Sequence, residues 1–258
     1  MAAKRRSGSH RRGKPIKIAV INEAKTEKVA TRDLAKVVAA LQKQVERDFA
    51  PVWGIEARLS LVPEGEALPE DAWWLTLLDD TDRAGNLGYH DLTSAGLPLG
   101  KAFIATAEAD KMPWSVVLSH ELLEMLIDPY INLSAFVRDS RSGLLYGYEV
   151  CDPVRSDNYR IDGVAVSNFV YPDWFLPPEL RPDARLDHME KIGKPLQIRP
   201  GGYAIFNELG AARKKGWHAK AARGKPRSDH REGTRPHRRA TTTARPKLSK
   251  AKRAGRGR

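Results

Sequence analysis

One apolar helical segment that carries a histidine and three carboxylates constrains this chain more than any other feature. The segment reads SHELLEMLIDP and spans Ser119–Pro129. On a helical wheel, its four ionisable groups fall within an arc of about 100°, and apolar side chains cover more than half of the circumference. These groups are His120, Glu121, Glu124 and Asp128. Because a helix with so wide an apolar face is largely buried, the ionisable groups are predicted to line an internal surface.

The carboxylates of this segment lack basic neighbours in the sequence. No lysine or arginine occurs between Lys111 and Arg138. Partly buried carboxylates at this spacing need a cation, an arginine from a distant segment, or protonation. An amphipathic helix with a solvated acidic face is the alternative interpretation, but the wide apolar arc argues against it. The pattern therefore predicts a divalent-metal site.

The spacing of His120, Glu121 and Glu124 suggests specific roles. His120 and Glu124 lie one turn apart and can hold one ion, which leaves Glu121 beside it as a general base. This H-E-x-x-E segment resembles the H-E-x-x-H helix of the zincin metallopeptidases, which supplies two zinc ligands and the catalytic base. Here Glu124 stands where that family has its second histidine. The resemblance implies Zn²⁺. The added negative charge makes the ion a weaker Lewis acid and allows harder ions to compete, so Mn²⁺ and Ca²⁺ are alternatives.

Further ligands must come from outside the helix, because Asp128 lies ~12 Å along the axis from His120. The motif Glu149-Val150-Cys151-Asp152-Pro153 is the better source. The zincin resemblance implies that Glu149 is the third ligand, because thermolysin-like members have a glutamate ligand at a similar downstream distance. Asp152 is predicted to complete the metal site by orienting His120. An ordinary turn with a carboxylate cap remains the alternative for both residues.

Three other features receive structural interpretations. His90 is a fallback ligand, although a hydrogen bond within a loop is the preferred interpretation. Cys151 is predicted to be a small core residue, and the aspartate-rich run 79–85 a turn, because Ala84 breaks the calcium-loop pattern. The aromatic segment 167–175 is predicted to form a small core under a long loop, with the wall of a substrate cleft as the alternative.

Hydrophobic patterning predicts an α+β fold whose second half is an irregular strand-and-loop region. The resemblance to the zincins implies that a mixed sheet and a central active-site helix precede this half. A first helix is expected from Thr31 to a point before Pro51, and the central helix is expected over Trp114–Asp128. Strands are predicted at Ile16–Ile21, Ile55–Val62, Trp73–Leu78, Ala102–Ala105, Leu144–Val150 and Val164–Val170.

Charge divides the chain into three parts. The whole chain carries +12, residues 1–14 carry +6 and residues 211–258 carry +16, which leaves −10 for residues 15–210. The two ends are predicted to be disordered basic tails, because their composition cannot bury enough apolar surface to order them. Residues 15–210 are predicted to form one metal-binding α+β domain. The tails favour weak, nonspecific, salt-sensitive binding of nucleic acid.

The cellular setting follows from what the sequence contains. Cys151 is the single cysteine, so no disulfide can form within the chain. No apolar run reaches the ~18 residues of a membrane span, and the basic start does not resemble a signal peptide. A cytoplasmic protein without a membrane segment is therefore expected, in an oligomeric state that the sequence does not indicate.

Several longer blocks carry a second resemblance. The segments GYHDLTSAGLPLGKAF, SHELLEMLIDP, EVCDPV, VSNFVYPDWF and PGGYAIF resemble a group of uncharacterised bacterial and phage-associated proteins. This resemblance covers about residues 75–210 and implies kinship without an activity.

Three functional hypotheses follow. The first is a metal-dependent hydrolase, most simply a zincin-like peptidase acting on a peptide or protein substrate. The second is a non-catalytic module in which the same ligands hold an ion for stability. The third is a nucleic-acid-associated protein that acts through its basic tails.

Overall fold

A computed structural model describes residues 14–26, 29–82, 86–138, 143–176, 183–209 and 217–222. Nearly all of both predicted tails, residues 1–13 and 223–258 among them, lies outside these ranges. Within the described residues, no helix combines the length and the apolar character that crossing a lipid bilayer requires. The fold is α+β, which confirms the predicted class.

A five-stranded mixed sheet forms the first half of the fold. Its strands are β1 (Ile16–Asn22), β2 (Ala57–Leu61), β3 (Trp73–Leu78), β4 (Gly88–Leu92) and β5 (Pro98–Phe103). The strand order is β2-β1-β3-β5-β4, with β1, β2, β3 and β5 parallel and β4 antiparallel to β5. Strand β4 therefore lies at one end of the described sheet.

The alternation of side chains along β1 shows which face of this sheet is covered. Ile18 and Val20 point into the main core, whereas Ala19 and Ile21 belong to a small separate cluster on the other face. The main core also contains the buried face of helix α1 (Thr31–Lys43). The helices therefore pack on one face of the sheet.

The first helical segment continues further than predicted. After α1 the chain passes through a π-helical stretch, Gln44–Phe49, into the short helix α2 (Ala50–Trp53). The predicted end before Pro51 is wrong, because this proline sits in the first turn of α2, where its missing N–H costs no helical hydrogen bond. Gly54 ends the helix with a left-handed backbone (φ 71°).

The central helix is α4 (Trp114–Ile127), and the short helix α3 (Ile104–Ala109) precedes it. All residues of α4 except Trp114 and His120 are buried, as its apolar arc predicts. The helix packs against β4 and β5. Its end is stabilised by Asp128, whose Oδ1 accepts the backbone N–H groups of Asn132 and Leu133.

The second half contains more regular structure than predicted. Its strands are β6 (Ser134–Arg138), β7 (Gly143–Gly147), β8 (Asn158–Ile161), β9 (Val164–Ser167), β10 (Tyr203–Leu209) and β11 (Trp217–Ala221). They form an antiparallel four-stranded sheet, in the order β11-β10-β7-β6, and the β8–β9 hairpin. Strand β11 lies within the predicted tail 211–258, so the prediction of disorder is wrong for these five residues, because pairing with β10 supplies order that composition does not indicate.

Buried hydrogen bonds join the two halves of the fold. Ser119 of α4 accepts the N–H of Ser167 in β9 (3.0 Å) and donates to Gln44 Oε1 (2.7 Å). Gln44 in turn donates to the carbonyl of Ser167 (2.9 Å). This polar network fixes the side of α4 that faces β9, and the opposite side of the helix carries the candidate site.

Candidate metal centre

The first ligand group joins α4 to the turn that follows β7. His120 Nε2 lies 3.2 Å from Glu124 Oε1 and 3.2 Å from Asp152 Oδ1. One potential ligand atom from each of the three residues lies within 4.8 Å of the others. Two ligand atoms about 2.1 Å from a tetrahedral ion lie about 3.4 Å apart, close to the two distances from His120, so these side chains could hold a single zinc-sized ion.

The second ligand group lies next to the first. It consists of His90, Glu124 and Glu149, whose ligand atoms also lie within 4.8 Å of one another. His90 Nδ1 is 3.9 Å from Glu124 Oε2, and His90 Nε2 is 4.0 Å from Glu149 Oε2. Glu124 is the member that both groups share.

These positions change the expected roles of Glu149 and Asp152. Asp152, predicted to orient His120, is the residue within ligand distance of both His120 and Glu124. Glu149, predicted to be the third ligand of that pair, instead groups with Glu124 and His90. The two carboxylates are only three residues apart, but the chain turns into the 3-10 segment Asp152–Val154 between them.

The loop that carries Glu149 and Asp152 is anchored to α4. The backbone N–H of Cys151 donates to Glu124 Oε1 (3.2 Å), and the carbonyl of Pro153 accepts the N–H of Arg199 (2.9 Å). The thiol of Cys151 is buried, in agreement with its predicted core position. Burial, together with the charge of Glu124, raises the pKa of this thiol well above its usual range, so it is a neutral packing group.

Burial and the charges of neighbouring side chains shift the pKa values of the three residues in the first group. Burial disfavours the imidazolium of His120, but the neighbouring Glu124 and Asp152 outweigh this effect and raise the pKa of His120 well above its usual range. Burial opposes ionisation of Glu124, yet His120 lowers the pKa of Glu124 to about 2. Burial and the charge of Glu124 raise the pKa of Asp152 to about 6. The carboxylates of Glu124 and Asp152 thus favour a positive charge at the imidazole of His120.

Glu121 lies beside both groups and faces a cleft. Its Oε2 is 3.7 Å from His90 Nδ1. The cleft offers about 40 Å³ to water-sized molecules and is partly open to solvent. The site residues that border it are His120, Glu121 and Asp152, and Arg155 and Tyr203 form part of its wall. Water in this cleft would therefore lie next to Glu121 and the first ligand group.

The loop assignment of His90 is wrong, because His90 lies in strand β4. Alternation along β4 turns Gly88 and His90 toward the same side, where Glu121 packs. A Cβ atom at Gly88 would lie 2.7 Å from Glu121 Oε1 and 2.7 Å from the carbonyl oxygen of Lys101. No local sequence pattern identifies this strand, because it depends on antiparallel pairing with β5.

Replacing Gly88 with alanine should destabilise the fold and displace Glu121. The added methyl group cannot fit without moving β5 backbone or the glutamate, so we expect a loss of about 1–3 kcal/mol in the free energy of unfolding. Urea denaturation measures this loss. Gly193→Ala is the control, because its nearest neighbour is Gln197 Oε1 at 3.8 Å, an ordinary contact. Equal stability of the two variants would show that β4 and α4 do not pack this closely.

Two other predicted features, the aspartate-rich run and the aromatic segment, lie outside the two ligand groups. Asp82, from the aspartate-rich run, is bonded to the Nζ of Lys101 (2.7 Å) and the hydroxyl of Tyr89 (2.7 Å), which agrees with a structural turn. Residues 83–85 of that run are not described. Phe169, Trp174 and Phe175 are buried, as predicted, but they belong to the main core and do not form a separate small one.

Comparisons with known proteins leave the family open. No protein-family model, no curated protein and no solved structure matches this chain. Functional inference therefore rests on the geometry of the two ligand groups and the cleft beside them.

Proposed function

We propose that this protein is a metal-dependent hydrolase of the zincin-like peptidase type. The observation that carries the proposal is the convergence of His120, Glu124 and Asp152 at distances that suit a tetrahedral divalent ion, with Glu121 at the adjacent cleft. A bound zinc ion in such a site acidifies water and polarises a carbonyl group.

The side chains of this site would bind the ion, transfer a proton and orient the catalytic base. The imidazole of His120 and the carboxylates of Glu124 and Asp152 would hold the ion. Glu121 would accept a proton from water in the cleft and later return it to the leaving amine. His90, 3.7 Å from Glu121, would help to orient that carboxylate.

The sheet provides a reason to favour a peptide as the substrate. Strand β4 lies at the end of the described five-stranded sheet, and Leu87 and Gly88 border the cleft. An extended peptide can pair with an edge strand through main-chain hydrogen bonds. A substrate bound in this way would run past Glu121 and the first ligand group.

The departure from the zincin helix limits the expected rate. Glu124 replaces the second histidine, and Asp152 adds a second carboxylate to the first group. Two anionic ligands leave less positive charge on the ion, which acidifies water less strongly. We therefore propose Zn²⁺ with slow turnover, and Mn²⁺ or Ca²⁺ remain alternatives because carboxylate ligands suit harder ions.

A non-catalytic, metal-stabilised module is the second candidate. The observation that favours it is the burial of Glu124 and Asp152, together with the bond from the Cys151 N–H to Glu124. An ion at this point would join α4 to the loop after β7 and add binding free energy to folding. Nucleic-acid binding through the basic tails stays a prediction from charge.

Metal analysis combined with a peptidase assay tests the proposal. The full-length protein should carry zinc by mass spectrometry and hydrolyse an unstructured protein such as casein. A chelator should abolish hydrolysis, and zinc should restore it. His120→Ala should remove both properties, whereas His218→Ala, in β11 and outside both ligand groups, should keep them.

The other outcomes separate the two candidates. Bound metal without hydrolysis, together with a melting temperature that falls on chelation, would support the stabilising module. Protein that neither contains nor takes up a divalent ion would eliminate both.

A further inference from the structure

We infer that the site binds two divalent ions, bridged by the carboxylate of Glu124. This inference rests on the proposed metal site, but it does not depend on hydrolysis. The first ion would be held by His120, Glu124 and Asp152, and the second by His90, Glu124 and Glu149.

The two oxygens of Glu124 face different histidines. Oε1 lies 3.2 Å from His120 Nε2, whereas Oε2 lies 3.9 Å from His90 Nδ1. A carboxylate that offers one oxygen to each side can bridge two ions, and ions in two-metal sites are typically about 3.5–4 Å apart. The shared residue is therefore oriented as a bridge.

Each end of this bridge has its own histidine and its own second carboxylate. Asp152 belongs to the first group and Glu149 to the second, and neither appears in both. A single ion held by the first set would not use Glu149 and would not use His90 as a ligand. Each of two ions would thus have one histidine, one further carboxylate and a share of Glu124.

Charge balance also favours two ions. Four buried carboxylates and two imidazoles share this small volume. They are Glu121, Glu124, Glu149, Asp152, His90 and His120. Neutral imidazoles are the form that ligates metals, so two divalent ions would match the four negative charges of these carboxylates.

The nearby basic side chains have carboxylates of their own. Lys101 donates to Asp82 (2.7 Å), and Arg155 Nη2 lies 3.7 Å from Asp110 Oδ2. Both basic side chains therefore have an acid outside the two ligand groups within reach.

The two positions should differ in affinity. Contacts in the first group are 3.2 Å, near the ~3.4 Å edge of a tetrahedral zinc site. In the second group, His90 Nδ1 lies 3.9 Å from Glu124 Oε2, whereas the other ring nitrogen, Nε2, lies 4.0 Å from Glu149 Oε2. Because one nitrogen must serve both carboxylates, the side chains of this group must move further to hold an ion. We therefore expect one tight zinc ion and a second ion that binds more weakly.

Zinc titration of the full-length protein tests this inference. Calorimetry with Zn²⁺, checked by metal analysis after equilibrium dialysis, should give two ions per chain for the unmodified protein. His90→Gln and Glu149→Gln should each reduce this number to one and keep the tighter ion. His218→Gln should still bind two, and circular dichroism confirms the fold of each variant.

A spectroscopic measurement needs no variant. With Mn²⁺ at both positions, electron paramagnetic resonance should show the spin coupling of ions bridged at short distance. Uncoupled Mn²⁺ signals, or one zinc per chain that His90→Gln leaves unchanged, would contradict the second ion while leaving the proposed hydrolase intact. No zinc binding at all would overturn both proposals.

Discussion

Replacing Glu124 with glutamine is expected to remove metal binding at this site almost completely. Glutamine has the same shape and keeps an oxygen that can accept the Cys151 N–H, so the loop after β7 should stay in place. It lacks the negative charge that both ligand groups use. Because loss of an outer-shell partner alone costs about 10–100-fold in metal affinity, loss of this shared ligand should cost more than about 100-fold.

Zinc affinity measured by competition with a coloured chelator quantifies this loss. Glu108→Gln, an exposed substitution in α3, is the matched control and should bind zinc like the unmodified protein. The free energy of unfolding without metal should fall at neutral pH, because ionised Glu124, whose pKa His120 lowers to about 2, no longer stabilises the buried imidazolium of His120. Zinc affinity within threefold of the unmodified protein would mean that Glu124 is not a ligand.

Replacing Glu121 with glutamine should separate catalysis from binding. Its carboxylate belongs to neither ligand group but borders the cleft. Removal of a general base typically lowers the rate by about 10²–10⁴-fold. We therefore expect kcat for peptide hydrolysis to fall by this factor while zinc content stays unchanged.

Two measurements distinguish the loss of a catalytic base from the loss of the metal ion. Initial rates report the chemical step, and mass spectrometry reports the metal in the same preparation. Glu121→Asp keeps the carboxylate but shortens its reach, so it should retain more activity than the glutamine variant. Equal rates for the glutamine variant and the unmodified protein would remove Glu121 from the mechanism.

The sequence identifies the part of the site that lies on one helix. Periodicity alone places His120, Glu121 and Glu124 on one side of α4, because helical geometry relates nearby residues. The motif containing Glu149 and Asp152 is selected because the helix needs further ligands, and the structure places both carboxylates beside Glu124. Their separation into two ligand groups depends on a tight backbone turn that periodicity does not encode.

His90 shows why the remainder could not be predicted. Strand β4 is short, contains glycine, histidine and aspartate, and gains its place by antiparallel pairing with β5. Such pairing is a nonlocal interaction, and β propensity depends strongly on this context. Similarly, Trp217–Ala221 looks like tail in composition and becomes a strand only through its partner β10.

The ligands are spread along the chain from His90 to Asp152, and this spacing has a thermodynamic consequence. An ion shared by β4, α4 and the loop after β7 would act as a cross-link, closing chain segments that the unfolded state leaves open. Secreted proteins often obtain such closure from oxidised thiols, but this chain has only the buried Cys151. Its resistance to unfolding would therefore follow the supply of divalent ions and be insensitive to the redox state of its surroundings.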